Sequence, residues 1–231
     1  MQPIAPVASG IALGVLVLTL APAAAHSLAE LQAMLSEREK NFQPIDKDAP
    51  QFALQDAEGR PVALAGFRGK VVVLDFIDTN CSDVCHLHLD RIAEIQSMVN
   101  QSPMKDEVQF VTITTDSSRD NGSILTDYGR AHGLDPVNWV FLTAKPDQAE
   151  DTTRQLAAQF GHLFERTEDG YQINGVVTHV IDKEERWRAN FQGLKFEPTN
   201  LVVFVNALVN DIARPHEEPN SGLWQKLKRW F

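Results

Sequence analysis

The run KVVVLDFID, Lys70 to Asp78, follows Gly69 and is apolar and β-branched with no polar alternation. A strand with no polar face is one whose two faces are both covered, so this segment predicts a central strand with helices packed on either side. The flanking sequence supplies them. Leu87, Leu89, Ile92, Ile95, Met98 and Val99 recur at mainly helical intervals and predict a helix from about Asp83 to Asn100. VQFVTITT and WVFLT read as further strands, SILTDYGRAHG as a helix that Gly133 ends, and Pro146 to Phe160 as a helix with proline near its first turn. GVVTHVID and RWRANFQG form a hairpin around Lys183 to Glu185, and Asn200 to Ile212 makes the last helix. FALQDAEGRPVAL adds a hairpin at the N-terminal side, turning at Glu58-Gly59. The expected fold is α/β: a central mixed sheet flanked by helices, with an extra N-terminal hairpin.

Before this domain, SLAELQAMLSEREK places Leu28, Leu31, Met34 and Leu35 at helical spacing behind a Ser27 cap. Pro44, Asp46, Lys47, Asp48 and Pro50 then read as a linker, so the division is a lead-in helix and linker over 26–44 and the domain over 45–213. Residues 1–25 carry no charged side chain. Ile11 to Leu20 with Ala23 and Ala25 fits a signal peptide, while Ile4 to Ala25 is long enough to serve as a membrane anchor. Either segment exports the rest of the chain, to the periplasm or beyond, free or held at the inner membrane, where disulfides persist. Cleavage after Ala25 would expose His26 as an amine-plus-imidazole chelator. The other end, 214–231, is a basic amphipathic tail with Leu223, Trp224, Leu227, Trp230 and Phe231 against Lys226, Lys228 and Arg229, suited to a membrane interface or a partner. Both termini are therefore candidate points of membrane association. A net charge of −10 argues against nucleic acid as a partner.

Both cysteines of the chain, Cys81 and Cys85, lie in TNCSDVCHLH, just past the central strand and at the start of the next helix. Ligands in open α/β sheets gather at that edge. At i and i+4 the two sulfurs can share a ligand, and they can bridge if Cys81 sits in the loop. A helix N-terminus favours thiolate, whereas Asp78 and Asp83 oppose it. The spacing is compatible with a redox pair, with a stabilising disulfide, and with a site for Cu(I) or Zn(II). A metal would need a third donor. His86 and His88 are adjacent in sequence but sit further along the helix, while His132, His162, His179 and His216 are the histidines beyond it.

The segment FRGKVVVLDFIDTNCSDVC resembles the strand-to-helix stretch of the SCO1/SenC proteins, thioredoxin-fold copper chaperones and thiol oxidoreductases that assist assembly of the CuA centre of cytochrome c oxidase. FVTITTDSSRDN and HVIDKEERWRANFQG are similar to that family's second core strand and final hairpin, over roughly Ile45 to Ile212. The resemblance implies a thioredoxin-like fold, copper as the bound metal, and Cys81 and Cys85 as its redox-active ligands. It also implies a thiol reductant and a cytochrome c oxidase subunit or another copper-receiving protein as partners. Where the family places prolines after its cysteines, this chain has Ser82 and His86. Where the family places its third ligand, a histidine, this chain has Asn174, and the nearest histidine in that strand is His179, five residues later. His179 is the expected third metal ligand if a bulge or deletion shifts the strand, and His162 a weaker one. The alternative is a periplasmic thiol–disulfide oxidoreductase or redox sensor without a stable copper site.

Overall fold

The structure is a computed structural model that describes residues 27–210 apart from Ser82, Glu168, Asp169 and Asn174. The apolar N-terminal segment, His26, Asn174, His216 and the basic tail fall outside the described residues. Among the described residues no helix is long and apolar enough to cross a membrane.

The chain opens with α1 (Leu28–Arg38), β1 (Phe42–Asp48), β2 (Ala53–Asp56) and β3 (Pro61–Ala63). Ser27 caps α1 with a full capping box to Glu30, as its sequence predicts. Then follow β4 (Val71–Ile77), α2 (Asp83–Asn100), β5 (Val108–Thr114), α3 (Gly122–Ala131) and β6 (Trp139–Thr143). The C-terminal part contains α4 (Thr152–Gln159), β7 (Phe164–Thr167), β8 (Gly170–Ile173), β9 (Val177–Ile181), β10 (Arg186–Gln192) and α5 (Pro198–Val209).

Eight strands form one mixed sheet in the order β1-β10-β9-β4-β5-β6-β2-β3. β4, β5 and β6 run parallel, and the other pairings are antiparallel. β4 lies in the middle with all seven residues buried, so the unbroken apolar run is a strand covered on both faces. The expected hairpins are present as β2–β3 and β9–β10.

Register assigns the faces. Asp75 lies between Thr112 and Thr178, and Phe191 is opposite Thr178, so these four share one face. Phe204 of α5 packs on Phe191, α2 packs on α5, and Gly129 of α3 meets Trp139 from the same side. Leu74 lies opposite His179, and with Phe76 it points to the other face, where Phe160 and Trp187 close over it.

Three expectations are corrected. The stretch read as a linker is β1, an edge strand paired with β10. Its prolines misled the reading, but proline is tolerated at an edge, and the pairing shifts between Pro44 and Lys47. With α1 burying Leu28, Leu31 and Leu35 in the same core, the domain begins before residue 45. The helix expected from Pro146 starts only at Thr152, because Lys145 to Gln148 forms a turn closed by the Gln148 side chain on the Lys145 amide. Beyond these, Phe164–Thr167 pairs with Gly170–Ile173 as the two-stranded β7–β8 hairpin, an element the sequence does not announce.

Candidate functional site

At the C-terminal end of β4 the chain leaves the sheet in a turn. The Cys81 amide donates to the Asp78 carbonyl at 3.0 Å, and the Asn80 amide donates to Asp78 Oδ1 at 2.8 Å, an Asx-type closure that an aspartate supplies from its own side chain. Asp120, buried in the loop after β5, accepts from the Thr79 amide at 3.1 Å, from the Thr79 hydroxyl, and from Thr114 Oγ1 at 2.5 Å. Arg119 pairs with Asp116 and reaches Asp78 at 3.8 Å. The loop before α2 is thus fixed from β5 by charge-assisted hydrogen bonds.

Cys81 stands in that loop and Cys85 in the first turn of α2, the placement that a four-residue separation needs for bridging. They are joined as a disulfide, with Cα atoms 5.8 Å apart. Cys85 is fully buried, whereas Cys81 is only partly so. Of the two cysteines, Cys81 is therefore the more exposed. Burial raises the Asp78 pKa, and the Asp120 and Asp116 charges add to it, against the Asn80 amide and Arg119.

The structure does not bring His179 to the cysteines. Its side chain points to the face covered by Phe160 and Trp187, while α2 lies over the opposite face. Its nitrogens are already engaged, Nδ1 with Asn190 Oδ1 at 2.7 Å and Nε2 with His162 Nε2 at 2.9 Å. Asn190 Oδ1 also accepts from Trp187 Nε1 at 2.8 Å, so it acts as an acceptor and fixes the His179 proton on Nδ1. Burial lowers both histidine pKa values, that of His162 to about 4, and both rings are neutral. His162 and His179 thus lie together, as a buried hydrogen-bonded pair.

His88 is fully buried on α2 with neither ring nitrogen hydrogen-bonded, and burial lowers its pKa to about 3. His86 lies against Tyr128 and His132 instead. Among the described residues no three His, Cys, Asp or Glu side chains are arranged to hold a metal ion.

Two groups escaped the sequence reading. Asp120 acts on the cysteine loop from 41 residues away, a separation that no local pattern reveals. Asp75 did carry a signal, a carboxylate inside an apolar run. It is fully buried, accepts from Thr112 Oγ1 at 3.1 Å, leaves its other oxygen without a partner, and has its pKa pushed up by burial to about 8.

Comparison with known proteins adds the family. In structure, the chain is similar to a SCO1/SenC family lipoprotein from Bacillus anthracis str. Ames (TM-score 0.64, 23% identity, 72% of this chain and 97% of the other). It is similar also to BsSco, a member of the Sco family of cytochrome c oxidase assembly proteins in which a disulfide switch was identified (TM-score 0.64, 19% identity, 73% and 96%). A third is Bradyrhizobium japonicum ScoI with copper bound (TM-score 0.56, 23% identity, 70% and 99%). These likenesses show the thioredoxin-like fold. In sequence, the SCO1 protein homolog of Bacillus subtilis is 26% identical over 100 residues, 43% of this chain and 51% of the relative, so the match spans about half of that protein. The SCO1/SenC family model matches residues 40–209, well over half of the chain and including both cysteines, and the protein belongs to the SCO1/SenC family.

Proposed function

We propose that this is an exported copper-handling protein in which Cys81 and Cys85 cycle between the disulfide and a dithiol that takes Cu(I), for delivery to a cytochrome c oxidase subunit or another copper-receiving protein. The observation that carries this reading is the disulfide itself, set at the C-terminal end of the central strand, where α/β sheets bind ligands, with Cys81 partly exposed and Cys85 buried. Two thiols of a reductant supply two electrons and two protons. They become a disulfide while Cys81 and Cys85 become thiols, and Cu(I) then displaces the thiol protons. Two soft sulfur donors, one in the loop and one in the first turn of α2, suit Cu(I), and the ScoI relative has copper bound.

His179 enters this reading as the third donor suggested by the resemblance, yet its side chain lies on the face away from α2 and is held there by His162 and Asn190. The reading therefore rests on the thiolates. Export follows from the apolar first 25 residues, in keeping with a relative that is a lipoprotein. The test is Cu(I) titration of the reduced protein against a competing chelator. Wild type binds one equivalent, Cys81→Ser and Cys85→Ser lose it, and His179→Ala reports whether the third donor is His179. Binding no tighter than in the double-serine variant overturns the proposal.

A second reading, a thiol–disulfide oxidoreductase, is favoured by Asp75. A buried carboxyl that stays protonated near neutral pH, on the strand leading to the cysteines and on the face that α2 covers, is a proton source for a departing thiolate. Turnover of a disulfide substrate that falls in Asp75→Asn, with a changed pH profile, supports it. Equal profiles in the two proteins contradict it.

A further inference from the structure

One residue past Cys85, a second histidine group joins α2 to α3. His86 and Asp90 are one turn apart on α2, and Tyr128 and His132 are one turn apart at the end of α3. His86 Nδ1 lies 3.1 Å from His132 Nε2, Tyr128 Oη lies 3.3 Å from His86 Nδ1, and His132 Nδ1 lies 2.7 Å from Asp90 Oδ1. The Asp90 carboxylate accepts the His132 Nδ1 proton, which leaves the Nε2 lone pair aimed at His86.

Two ring nitrogens that face each other can share one proton or one cation. Imidazole nitrogens bound cis to Zn(II) or Cu(II) at about 2.0–2.1 Å lie about 2.9–3.4 Å apart at square-planar to tetrahedral angles. The observed 3.1 Å falls inside that bite, and a turn of roughly 35–45° by the rings brings both lone pairs onto one ion. A carboxylate holding the far nitrogen is the arrangement that orients metal-ligating histidines. The His132 side chain is 11% exposed and that of Asp90 57%, so solvent reaches the group from the Asp90 side. Burial and the charges of Asp120, Asp78 and Asp90 push the Tyr128 pKa up to about 12, so the phenol stands beside the nitrogens as a neutral oxygen donor, and the same carboxylates favour a cation there.

We propose that His86 and His132 form a solvent-accessible site for a divalent first-row cation, Cu(II) or Zn(II), with Tyr128 alongside and Asp90 holding His132. Binding replaces the proton between the nitrogens, His86 carries its proton on Nε2, and water completes the coordination. The site needs no thiolate and is independent of the Cu(I) reading above.

The test is Cu(II) titration of the full chain with its disulfide intact, read by electron paramagnetic resonance and repeated with Zn(II) by calorimetry. Wild type is expected to bind one equivalent with two-nitrogen superhyperfine structure. His86→Gln and His132→Gln are expected to weaken binding at least ~10-fold, and Asp90→Asn by ~10–100-fold, as for other outer-shell carboxylates. Asp90→Asn changes an exposed side chain, so it keeps the test valid if a histidine variant folds poorly. Equal affinity in wild type and the His86→Gln/His132→Gln double variant overturns the proposal. So does loss of binding in His26→Ala alone, which would place the ion at a processed N-terminus. Loss of Cu(I) binding by the reduced protein with Cu(II) binding retained would sink only the thiolate reading.

Discussion

Asparagine at position 75 isolates the cost of a buried carboxylate in the central strand. Asp75 is fully buried, with a pKa of about 8 against 3.8 for an ordinary aspartate. The folded state therefore holds a proton that the unfolded chain has released, and stability falls as pH rises through the window between those two values. Between pH 5.5 and 8 that loss is about 2–3 kcal/mol, allowing a unit of error in the folded pKa. Asparagine keeps the oxygen that accepts from Thr112. Its amide can donate to Thr178 Oγ1, which is buried, has no partner and sits on the neighbouring strand in register with Asp75. Urea unfolding of wild type and Asp75→Asn at both pH values, with the disulfide intact, gives the double difference, and the histidine contributions cancel in it. A pH dependence that is the same in both proteins to within about 0.5 kcal/mol would refute the account of a buried neutral acid.

Other perturbations follow from the same packing. His88→Leu replaces an imidazole with two unpartnered nitrogens, so it is expected to stabilise the protein by about 1–3 kcal/mol at pH 7. Because the His88 pKa is depressed to about 3, wild type loses stability as pH falls below the unfolded value of 6.5, and urea unfolding at pH 5 should show the variant's advantage widening. An advantage that shrinks at pH 5 contradicts this. Gly129→Ala places a Cβ 1.9 Å from the Trp139 ring, which should cost about 1–3 kcal/mol and lower Tm, and an unchanged Tm would mean α3 is not seated as described. The Cys81–Cys85 bridge closes so short a loop that its reduction should cost only about 2 kcal/mol in denaturant unfolding, and a much larger loss would make the bridge chiefly structural.

The sheet was legible because its strands are marked by composition. KVVVLDFID, VQFVTITT and WVFLT are apolar runs with helical periodicity between them, and β4, β5 and β6 lie where those runs are. β1 was not legible, since only Phe42 is buried and Ile45 half-buried while its other residues are exposed, and Pro44 reads as punctuation; its strand character comes from pairing with β10. Within the site, the cysteines and their place at the start of α2 were readable from spacing. The surroundings were not. Asp120 reaches Thr79 from another loop, and the His86–His132 contact joins residues 46 positions apart. His179 lies on the face away from α2, and Asn174 lies outside the described residues.

The claim that Cys81 and Cys85 together form a copper-binding dithiol is tested most directly by X-ray absorption at the copper edge on the reduced protein loaded with one equivalent of Cu(I). Two sulfur scatterers on the copper in wild type, falling to one in Cys81→Ser, is the predicted result. A coordination shell of nitrogen and oxygen alone in wild type would contradict it.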